Sequence, residues 1–210
     1  MNHVARSGPG RPGKDEARLE PPTVLERALA AFAVQGYDAV SLRRLSADLG
    51  MGHTFVSDRY GSKEELWKSV VDYAMERWLA VVNVELADGD RDDFERLVGS
   101  VRALHRAAVG SPHFARLIDQ EARTESARLG YLHEVLQPVN ETLRSLFDRL
   151  VAHGSLRPMP WYLFYFLTTS PTSLYSQPPL ARLMGRPDDA DDHDLVTDLI
   201  LGGLLELDHD

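Results

Sequence analysis

Cysteine is absent from this chain of 210 residues, and so are long apolar runs. Without thiols, the chain forms neither disulfide bonds nor thiolate metal sites, a composition that suits a reducing compartment. No stretch approaches the roughly 20 consecutive apolar residues that a membrane span needs, and the first residues lack the apolar segment of a secretory signal. We therefore expect a cytoplasmic protein with no membrane partner.

Signatures of catalysis are also missing from the sequence. It contains no His-Glu-x-x-His, Gly-x-Ser-x-Gly or phosphate-loop motif. The histidines are scattered, and we expect His105, His113, His133 and His153 to lie at the surface or at helix ends. The acidic run at 188–194 has no fixed ligand spacing and indicates a solvated loop leading into a helix. Acidic side chains at the start of a helix interact favourably with its dipole. These observations predict no enzyme, no cofactor and no metal ion.

Helical periodicity extends through almost the whole chain and predicts an all-α fold. The net charge of −9 is unevenly distributed, because residues 1–68 hold ten Lys and Arg against nine Asp and Glu. Acidity is therefore concentrated in residues 69–210. A small basic footprint on an acidic body is typical of a protein that binds specific nucleic-acid sites. Acidity that only keeps the body soluble is the alternative.

The stretch from Ser41 to Leu66 has the most specific pattern in the chain. Ser41 is a predicted N-cap, and leucines at helical spacing follow it as far as Leu49, which predicts a short helix. Gly50-Met51-Gly52 then predicts a tight turn, in which both glycines are free to adopt positive φ and the methionine packs inward.

A second short helix is predicted over 53–60, with Val56 and Tyr60 on its buried side, and such a helix can lie in a major groove. After Gly61, the pair Ser62 and Glu65 forms a predicted capping box. A long helix therefore begins there, and apolar spacing continues it to about residue 89, a length of roughly 37 Å.

Together with the preceding LERALAAFAVQGYDAVSLRRLSADLG, this stretch resembles the TetR family of transcription regulators over residues 23–70. The resemblance is carried by the Ala-rich helix ending in Phe32, the Gly36-Tyr37 corner, the helix starting at Ser41, Gly50, Tyr60 and the segment Gly61-Ser62-Lys63-Glu64-Glu65-Leu66. The chain departs from the family at His53, where a basic residue is frequent, and at Ser57, where a phosphate-contacting tyrosine is usual. The resemblance implies a homodimeric regulator, most often a repressor, that binds a palindromic operator in double-stranded DNA and is released by a small-molecule effector.

Candidate DNA contacts lie on the two short helices, the turn between them and the start of the long helix. They are Ser41, Arg43, Arg44, Gly52, His53, Thr54, Phe55, Ser57, Asp58, Arg59, Tyr60 and Lys63. Arg44 and Lys63 are expected to contact phosphates, and the resemblance implies this role for Lys63. Asp58 has two interpretations. It accepts a hydrogen bond from a cytosine amino group, or it forms an ion pair with Arg44 or Arg59, which is the interpretation we favour.

Residues 1–21 are rich in Gly, Pro and charge, which predicts a basic arm that is disordered away from DNA. Gly10-Arg11-Pro12 looks like the core of a hook in which Arg11 enters the narrow minor groove of A·T-rich DNA. The alternative is an unstructured tail that makes no contact.

The rest of the chain predicts a helical bundle. Further helices are expected from a capping box at Thr23–Glu26 to Gly36, over 91–109, 112–122 and 126–153, over Trp161–Tyr175 with a break at Pro171, and over 191–207 after a loop containing Pro178, Pro179 and Pro187. We assign residues 1–21 to the arm, 22–67 to the helix-turn-helix domain, and 68–210 to a ligand-binding and dimerisation domain reached through the long helix.

The body is expected to enclose a ligand pocket and to form a homodimer. The candidate pocket residues are Trp78, His105, Phe114, Gln120, Tyr131, Phe147, Phe164 and Tyr165, with Phe94 as a further apolar wall and Glu121, Arg123 and Asn140 as further polar anchors. The last helices are apolar at Leu195, Val196, Leu199, Ile200, Leu204 and Leu205, and the resemblance implies that they pair across a two-fold axis. Packing within one subunit is the alternative. A helical interaction protein, or an enzyme with an unrecognised site, is the rival to the regulator.

Overall fold

The computed structural model describes residues 20–204, which form helices joined by turns and short loops. The helices are α1 (Pro21–Gln35), α2 (Leu42–Asp48), α3 (Phe55–Tyr60), α4 (Lys63–Ala87), α5 (Asp93–Gly110), α6 (Pro112–Glu121), α7 (Ala127–Ala152), α8 (Trp161–Thr169), a 3-10 turn (Ser170–Thr172), α9 (Ser173–Ser176), α10 (Pro178–Leu183) and α11 (His193–Leu204). No β-strand occurs within these residues, and the all-α prediction is confirmed. No helix of this range is long and apolar enough to cross a membrane.

Local capping motifs set two of the predicted helix starts. The Ser41 hydroxyl accepts a hydrogen bond from the Arg44 amide at 3.4 Å and caps α2. At α4, the Ser62 amide donates to the Glu65 carboxylate at 2.7 Å and the Glu65 amide donates to the Ser62 hydroxyl at 3.2 Å. The predicted capping box is therefore present, and the long helix that follows it has 25 residues.

Three predicted boundaries are wrong. Helix α1 begins at Pro21 with Glu20 as its N-cap and without a side-chain cap, because two prolines with preset φ occupy its first turn and replace the predicted capping box at Thr23. Helix α3 begins at Phe55, two residues later than predicted, since residues 52–54 form the turn. Residues 178–183 form α10 rather than a loop, again with prolines at the helix start.

Two apolar cores hold the fold together, and α4 contributes to both. The first core packs α1, α2 and α3 against the first half of α4 through residues such as Phe32, Leu45 and Trp67. Side chains from α6 and α7 also enter it. The second core joins the end of α4, through Val82 and Leu86, to α5, α7, α8 and α11. The division of the chain at residue 68 stays a prediction, and the first core extends across it.

The turn between α2 and α3 depends on one glycine with positive φ. Gly50 has a φ of 72°, and a Cβ placed there meets no other atom within 4 Å. Gly52, which is equally free to adopt positive φ, is not among the glycines of residues 20–204 that adopt it. Met51 is half-buried. Only one of the two glycines that are free to adopt positive φ therefore does so, and this single residue reverses the chain.

We predict that Gly50→Ala lowers the free energy of unfolding by about 1–2 kcal/mol, the cost of placing an L-residue in the left-handed region. The penalty is conformational, since the added methyl group has open space around it. Gly52→Ala is the matched control and changes this free energy by less than about 0.5 kcal/mol, as is usual at an exposed position. Urea denaturation of both variants measures the difference, and equal losses would contradict the structure of the turn.

Candidate DNA interface and adjoining cavity

A buried serine joins the two short helices. The Ser46 side chain is fully buried, its hydroxyl donates to the Leu42 carbonyl at 2.9 Å, and it accepts from the Val56 amide at 3.1 Å. Because Val56 lies in the first turn of α3, this bond satisfies an amide that has no partner within its own helix. Ser46 was not predicted from the sequence. Its only signal there is a small hydroxyl residue next to Leu45 on the apolar side of a helix.

The predicted DNA contacts divide into exposed and half-buried groups. The exposed members are Ser41, Arg43, Arg44, Gly52, His53, Thr54, Asp58 and Arg59. The half-buried members are Phe55, Ser57, Tyr60 and Lys63. Arg11 and the rest of the predicted arm lie outside the described residues. The exposed side chains of the turn and of α3 lie on the outer surface of the helix-turn-helix module (residues 22–67). This is the surface that would contact a groove of DNA.

The half-buried members of this set have packing or hydrogen-bonding contacts within the protein. Phe55 and Tyr60 pack against the first core. The Ser57 hydroxyl donates to the Thr54 carbonyl at 2.8 Å. Burial raises the pKa of Tyr60, and the neighbouring Arg59 charge opposes that rise. DNA contact by these residues stays a prediction, and their packing contributes to how α3 is held.

Lys63 has partners inside the protein. Its ammonium group donates to the carbonyl oxygens of Tyr37 at 3.0 Å and Asp38 at 3.1 Å, and it lies 4.6 Å from the centroid of the Tyr37 ring. These bonds tie the start of α4 to the corner between α1 and α2. These two carbonyls engage two of the three ammonium donors, which leaves one donor of Lys63 for a phosphate contact.

Asp58 is exposed on α3, and it forms no salt bridge with another residue of the range 20–204. The favoured ion pair with Arg44 or Arg59 is therefore absent from the described residues. The alternative, acceptance of a hydrogen bond from cytosine, stays a prediction. An exposed acid close to phosphates costs binding unless a partner offsets its charge, so its role depends on the complex with DNA.

Contacts from the body reach the same corner of the module. The Arg128 guanidinium lies 4.1 Å from the centroid of the Tyr37 ring, and its single Nε–H is shared between the two oxygens of the Glu121 carboxylate, at 3.0 and 2.9 Å. The Gln120 amide donates to the Ala33 carbonyl at 2.9 Å. Helices α6 and α7 are thus bonded to the end of α1 and to the residue that Lys63 also contacts.

A cavity of about 100 Å³ lies in the body between α4, α5, α6, α7 and α8. Its lining residues are Trp78, Leu79, Val82, Ser100, Val101, Leu104, Ala108, Ala115, Ile118, Leu136, Val139, Asn140, Leu143, Trp161, Phe164, Tyr165, Thr168, Thr169 and Thr172. None of these residues is acidic, basic or histidine. Helix α4 starts beside α3, and its second half forms part of the cavity wall through Trp78, Leu79 and Val82.

Three of the eight predicted pocket residues line this cavity, namely Trp78, Phe164 and Tyr165, and of the further candidates Asn140 lines it whereas Phe94, Glu121 and Arg123 do not. The other five have different places. Phe114 and Phe147 are buried in the first and second cores. Gln120 is bonded to Ala33 as described, and the Tyr131 hydroxyl donates to Asp72 at 2.6 Å. Tyr131 has its pKa raised to about 12 by burial and by this acidic neighbour. A helical period selects buried faces but does not distinguish cavity walls from packed core.

His105 corrects two predictions, because it is neither at the surface nor in the cavity lining. It is fully buried, with Nε2 lying 2.8 Å from the Thr168 carbonyl and Nδ1 lying 2.7 Å from the Thr197 hydroxyl. A carbonyl only accepts, so we assign the proton to Nε2. Burial lowers the pKa of the imidazole, which keeps it neutral. His105 therefore bonds α5 to α8 and α11.

Helices α8 and α11 leave large apolar side chains uncovered. The exposed residues are Tyr162, Leu163, Phe166 and Leu167 on α8, and Leu195 and Leu199 on α11. Val196 and Ile200 are half-buried and Leu204 is buried, while Leu205 lies outside the described residues. The predicted apolar face of the last helix is therefore divided between the second core and solvent.

The geometry defines a helix-turn-helix protein with a helical body around a cavity. Residues 24–70 match the family model "Bacterial regulatory proteins, tetR family". An uncharacterized HTH-type transcriptional regulator of Bacillus subtilis, YezE, is 36% identical over 90 residues, which is 40% of this chain and 46% of YezE. The chain thus spans about half of the length of that relative.

Solved structures of similar fold extend the likeness to the body. The TetR-family regulator PfmR of Thermus thermophilus has a TM-score of 0.69 and 25% identity, with 89% of this chain and 97% of PfmR covered. AibR, solved in complex with isovaleryl coenzyme A and operator DNA, has a TM-score of 0.67 and 17% identity, with 88% and 97% covered. The chain is therefore similar to TetR-family transcriptional regulators, over residues 24–70 in sequence and over most of its length in fold. Its relatives are regulators rather than enzymes.

We predict that Ser46→Ala lowers the free energy of unfolding by about 1–3 kcal/mol, because it leaves the buried Val56 amide without an acceptor. Ser57→Ala is the control, since it removes a similar hydroxyl bond at a residue that is only half-buried, and we expect its loss to be smaller than that of Ser46→Ala. Urea denaturation gives both values, and amide exchange at Val56 reports the local effect. Equal losses would show that Ser46 does not clamp the two helices.

Proposed function

We propose that this protein is a homodimeric, ligand-responsive regulator, most simply a repressor, that binds a palindromic operator and is released by a small molecule. The observation that carries the proposal is that α4 begins beside the exposed face of the helix-turn-helix and then lines an apolar cavity. One rigid element therefore connects the surface that would meet DNA with the space that would hold an effector.

In this proposal, α3 enters the major groove and α2 crosses the backbone. The exposed residues of the turn and of α3, among them His53, Thr54 and Asp58, then face base edges. Arg43, Arg44 and Lys63 flank that helix and supply phosphate contacts, which position the module without reading sequence. The predicted arm adds Arg11 in a minor groove. The net negative charge of the body does not favour binding to DNA outside the operator.

The homodimer is proposed from the apolar surface on α8 and α11. Phe166 is 61% exposed and Leu199 is 69% exposed. Contiguous apolar surface of this kind marks an interaction site, and a second copy of the chain is the occupant that a palindrome requires. Gly202 and Gly203 in α11 allow another backbone to approach closely. A dimer presents two recognition helices about 34 Å apart, one turn of DNA.

Release of DNA by the ligand is explained by the small size of the cavity. An apolar cavity of roughly 150 Å³ holds a benzene molecule, whereas this one has about 100 Å³. A larger effector therefore has to displace the walls, and α4 is one of them. Movement of α4, and of α6 and α7 through the Gln120 and Arg128 contacts, changes the position of each module. Its effect on DNA affinity cannot exceed the ligand's preference for the displaced state.

A helical interaction protein and an enzyme with an unrecognised site are the competing functions. Binding to a palindrome from upstream DNA, with a steep dependence on salt, separates the regulator from both, because phosphate neutralisation releases counterions. A mobility-shift titration of the full chain at several salt concentrations makes this test. Equal affinity for the palindrome and for scrambled DNA would overturn the proposed function.

We predict that Lys63→Ala weakens binding to all DNA sequences and lowers the slope of log affinity against log salt by about one unit. The control is Lys68→Ala, further along α4, where the ammonium group pairs with Glu64 at 2.8 Å and no phosphate contact is proposed. Lys68→Ala leaves the slope unchanged. If Lys63→Ala weakens binding at an unchanged slope, Lys63 acts only through its bonds to Tyr37 and Asp38.

We predict that the double variant Phe166→Glu and Leu199→Glu is a folded monomer, because two charges on each face of the proposed interface cannot be buried unpaired. Analytical ultracentrifugation measures the mass, and circular dichroism checks the helices. Operator affinity falls by at least about tenfold, since each module then binds alone. Val84→Glu is the control, because Val84 is 70% exposed on α4 and lies outside this surface. A variant that stays dimeric would place the interface elsewhere.

A further inference from the structure

The cavity offers an occupant no charged partner. Its lining contains no acidic, basic or histidine side chain. Burying an ionised group without a partner of opposite charge costs several kcal/mol. Burial also raises the pKa of the Tyr165 phenol, so that this lining group stays neutral. The lining therefore favours an uncharged occupant over a carboxylate or a phosphate.

Most hydroxyl groups in the lining already donate their proton within the protein. The Ser100 hydroxyl donates to Arg96 O at 2.7 Å, and the Thr169 hydroxyl donates to Tyr165 O at 2.8 Å. The hydroxyls of Thr168 and Thr172 donate to backbone carbonyls in the same way. An occupant therefore gains little from these hydroxyls as donors.

Four donors of the lining make no hydrogen bond to another residue of the range 20–204, namely the indole N–H groups of Trp78 and Trp161, the Tyr165 hydroxyl and the Asn140 amide, and among them the Trp78 nitrogen is the one that is fully buried. The indole Nε1–H of Trp78 is buried without a hydrogen-bond partner. The Asn140 side-chain amide likewise makes no hydrogen bond to another residue of this range, although the residue is half-buried. An unpaired buried donor costs about 1–3 kcal/mol. An acceptor on the ligand would remove that cost at Trp78, which lies on α4.

From these observations we infer that the effector is a small, uncharged and mainly apolar compound with one carbonyl-type oxygen that accepts a hydrogen bond from Trp78. This inference rests on the proposed function, in which the cavity is the effector site. The apolar body of the ligand lies against side chains such as Val101, Val139 and Phe164. Asn140 is a second donor for the same oxygen or for another acceptor next to it.

Bonding to Trp78 gives the ligand a direct contact with the helix that connects the cavity to the DNA-binding module. The Trp78 ring packs edge-on against Phe114, with 6.2 Å between ring centroids. Phe114 belongs to the first core, which also contains α1 and α3. A ligand that repositions the indole therefore acts on side chains packed beneath the module.

Three probes with nearly the same shape test the ligand class by calorimetry on the full-length protein. Acetophenone is neutral and has a carbonyl acceptor, α-methylstyrene replaces that oxygen by carbon, and benzoate carries a negative charge. We expect benzoate to bind at least about tenfold more weakly than acetophenone, the effect of about 1.4 kcal/mol in binding free energy. Benzoate binding as tightly as acetophenone would overturn the inference, and so would the absence of binding by either neutral probe.

Trp78→Phe tests the hydrogen bond, since it keeps an aromatic ring and removes the N–H. Transfer from water favours the hydrocarbon in any apolar site, so each probe is compared between wild type and variant. The variant weakens acetophenone binding about three- to tenfold, as expected for one hydrogen bond, and changes α-methylstyrene binding by less than about twofold. Equal changes for both probes would overturn the role of Trp78.

Trp67→Phe is the matched control for this variant. Trp67 is another α4 tryptophan whose buried Nε1–H has no partner among residues 20–204, but it packs in the first core against Tyr131 and does not line the cavity. Its substitution leaves the affinities of both neutral probes unchanged. A mobility-shift assay with each probe separates the two proposals. If benzoate releases DNA and the neutral probes do not, the proposed ligand class is wrong and the proposed regulator is supported. If the neutral probes bind without releasing DNA, the ligand class is supported and the cavity is not the effector site.

Discussion

The double burial of α4 is the constraint on which the rest of the structure depends. Its first half supplies Trp67 and Val70 to the core beneath the helix-turn-helix, and its second half supplies Val82 and Leu86 to the core of the body. A helix packed at both ends cannot shift at one end without repacking at the other, since protein interiors are close-packed. A displacement of the α4 part of the cavity wall would therefore require repacking in the core beneath the helix-turn-helix.

Polar contacts add a second connection beside this apolar one. Tyr37 lies at the corner between α1 and α2, with Lys63 from α4 and Arg128 from α7 both close to its ring. Cation–π contacts of this kind contribute roughly 0.5–1 kcal/mol at exposed sites. They are too weak to hold the module alone. They do orient the corner with respect to two helices of the body, and the bond between Gln120 and Ala33 adds a third anchor.

Features encoded by neighbouring residues were predictable from the sequence, and features that depend on distant residues were not. The capping box of Ser62 and Glu65 lies within four residues, and the length of α4 follows from an uninterrupted apolar period. His105 shows the opposite case, because its partners Thr168 and Thr197 are 63 and 92 residues away. Nothing in the residues next to His105 distinguishes a buried bridge from a surface histidine. The same reason explains why Ser46 was missed and why only part of the predicted pocket lines the cavity.

His105 also links the cavity to the surface proposed for dimerisation. Thr168 lies on α8 and lines the cavity, and its carbonyl accepts a hydrogen bond from the imidazole Nε2. The other ring nitrogen, Nδ1, is hydrogen-bonded to the Thr197 hydroxyl on α11. A neutral histidine bonded on both sides leaves neither of its ring nitrogens unsatisfied, so α5, α8 and α11 are held in one arrangement. An effector that displaces α8 must therefore strain these bonds or carry α11 with it. In the proposed dimer, α11 would pair with its copy across the two-fold axis. The separation of the two modules would then depend on how much of the ligand's binding free energy displaces α4 and how much acts on the helices that His105 joins.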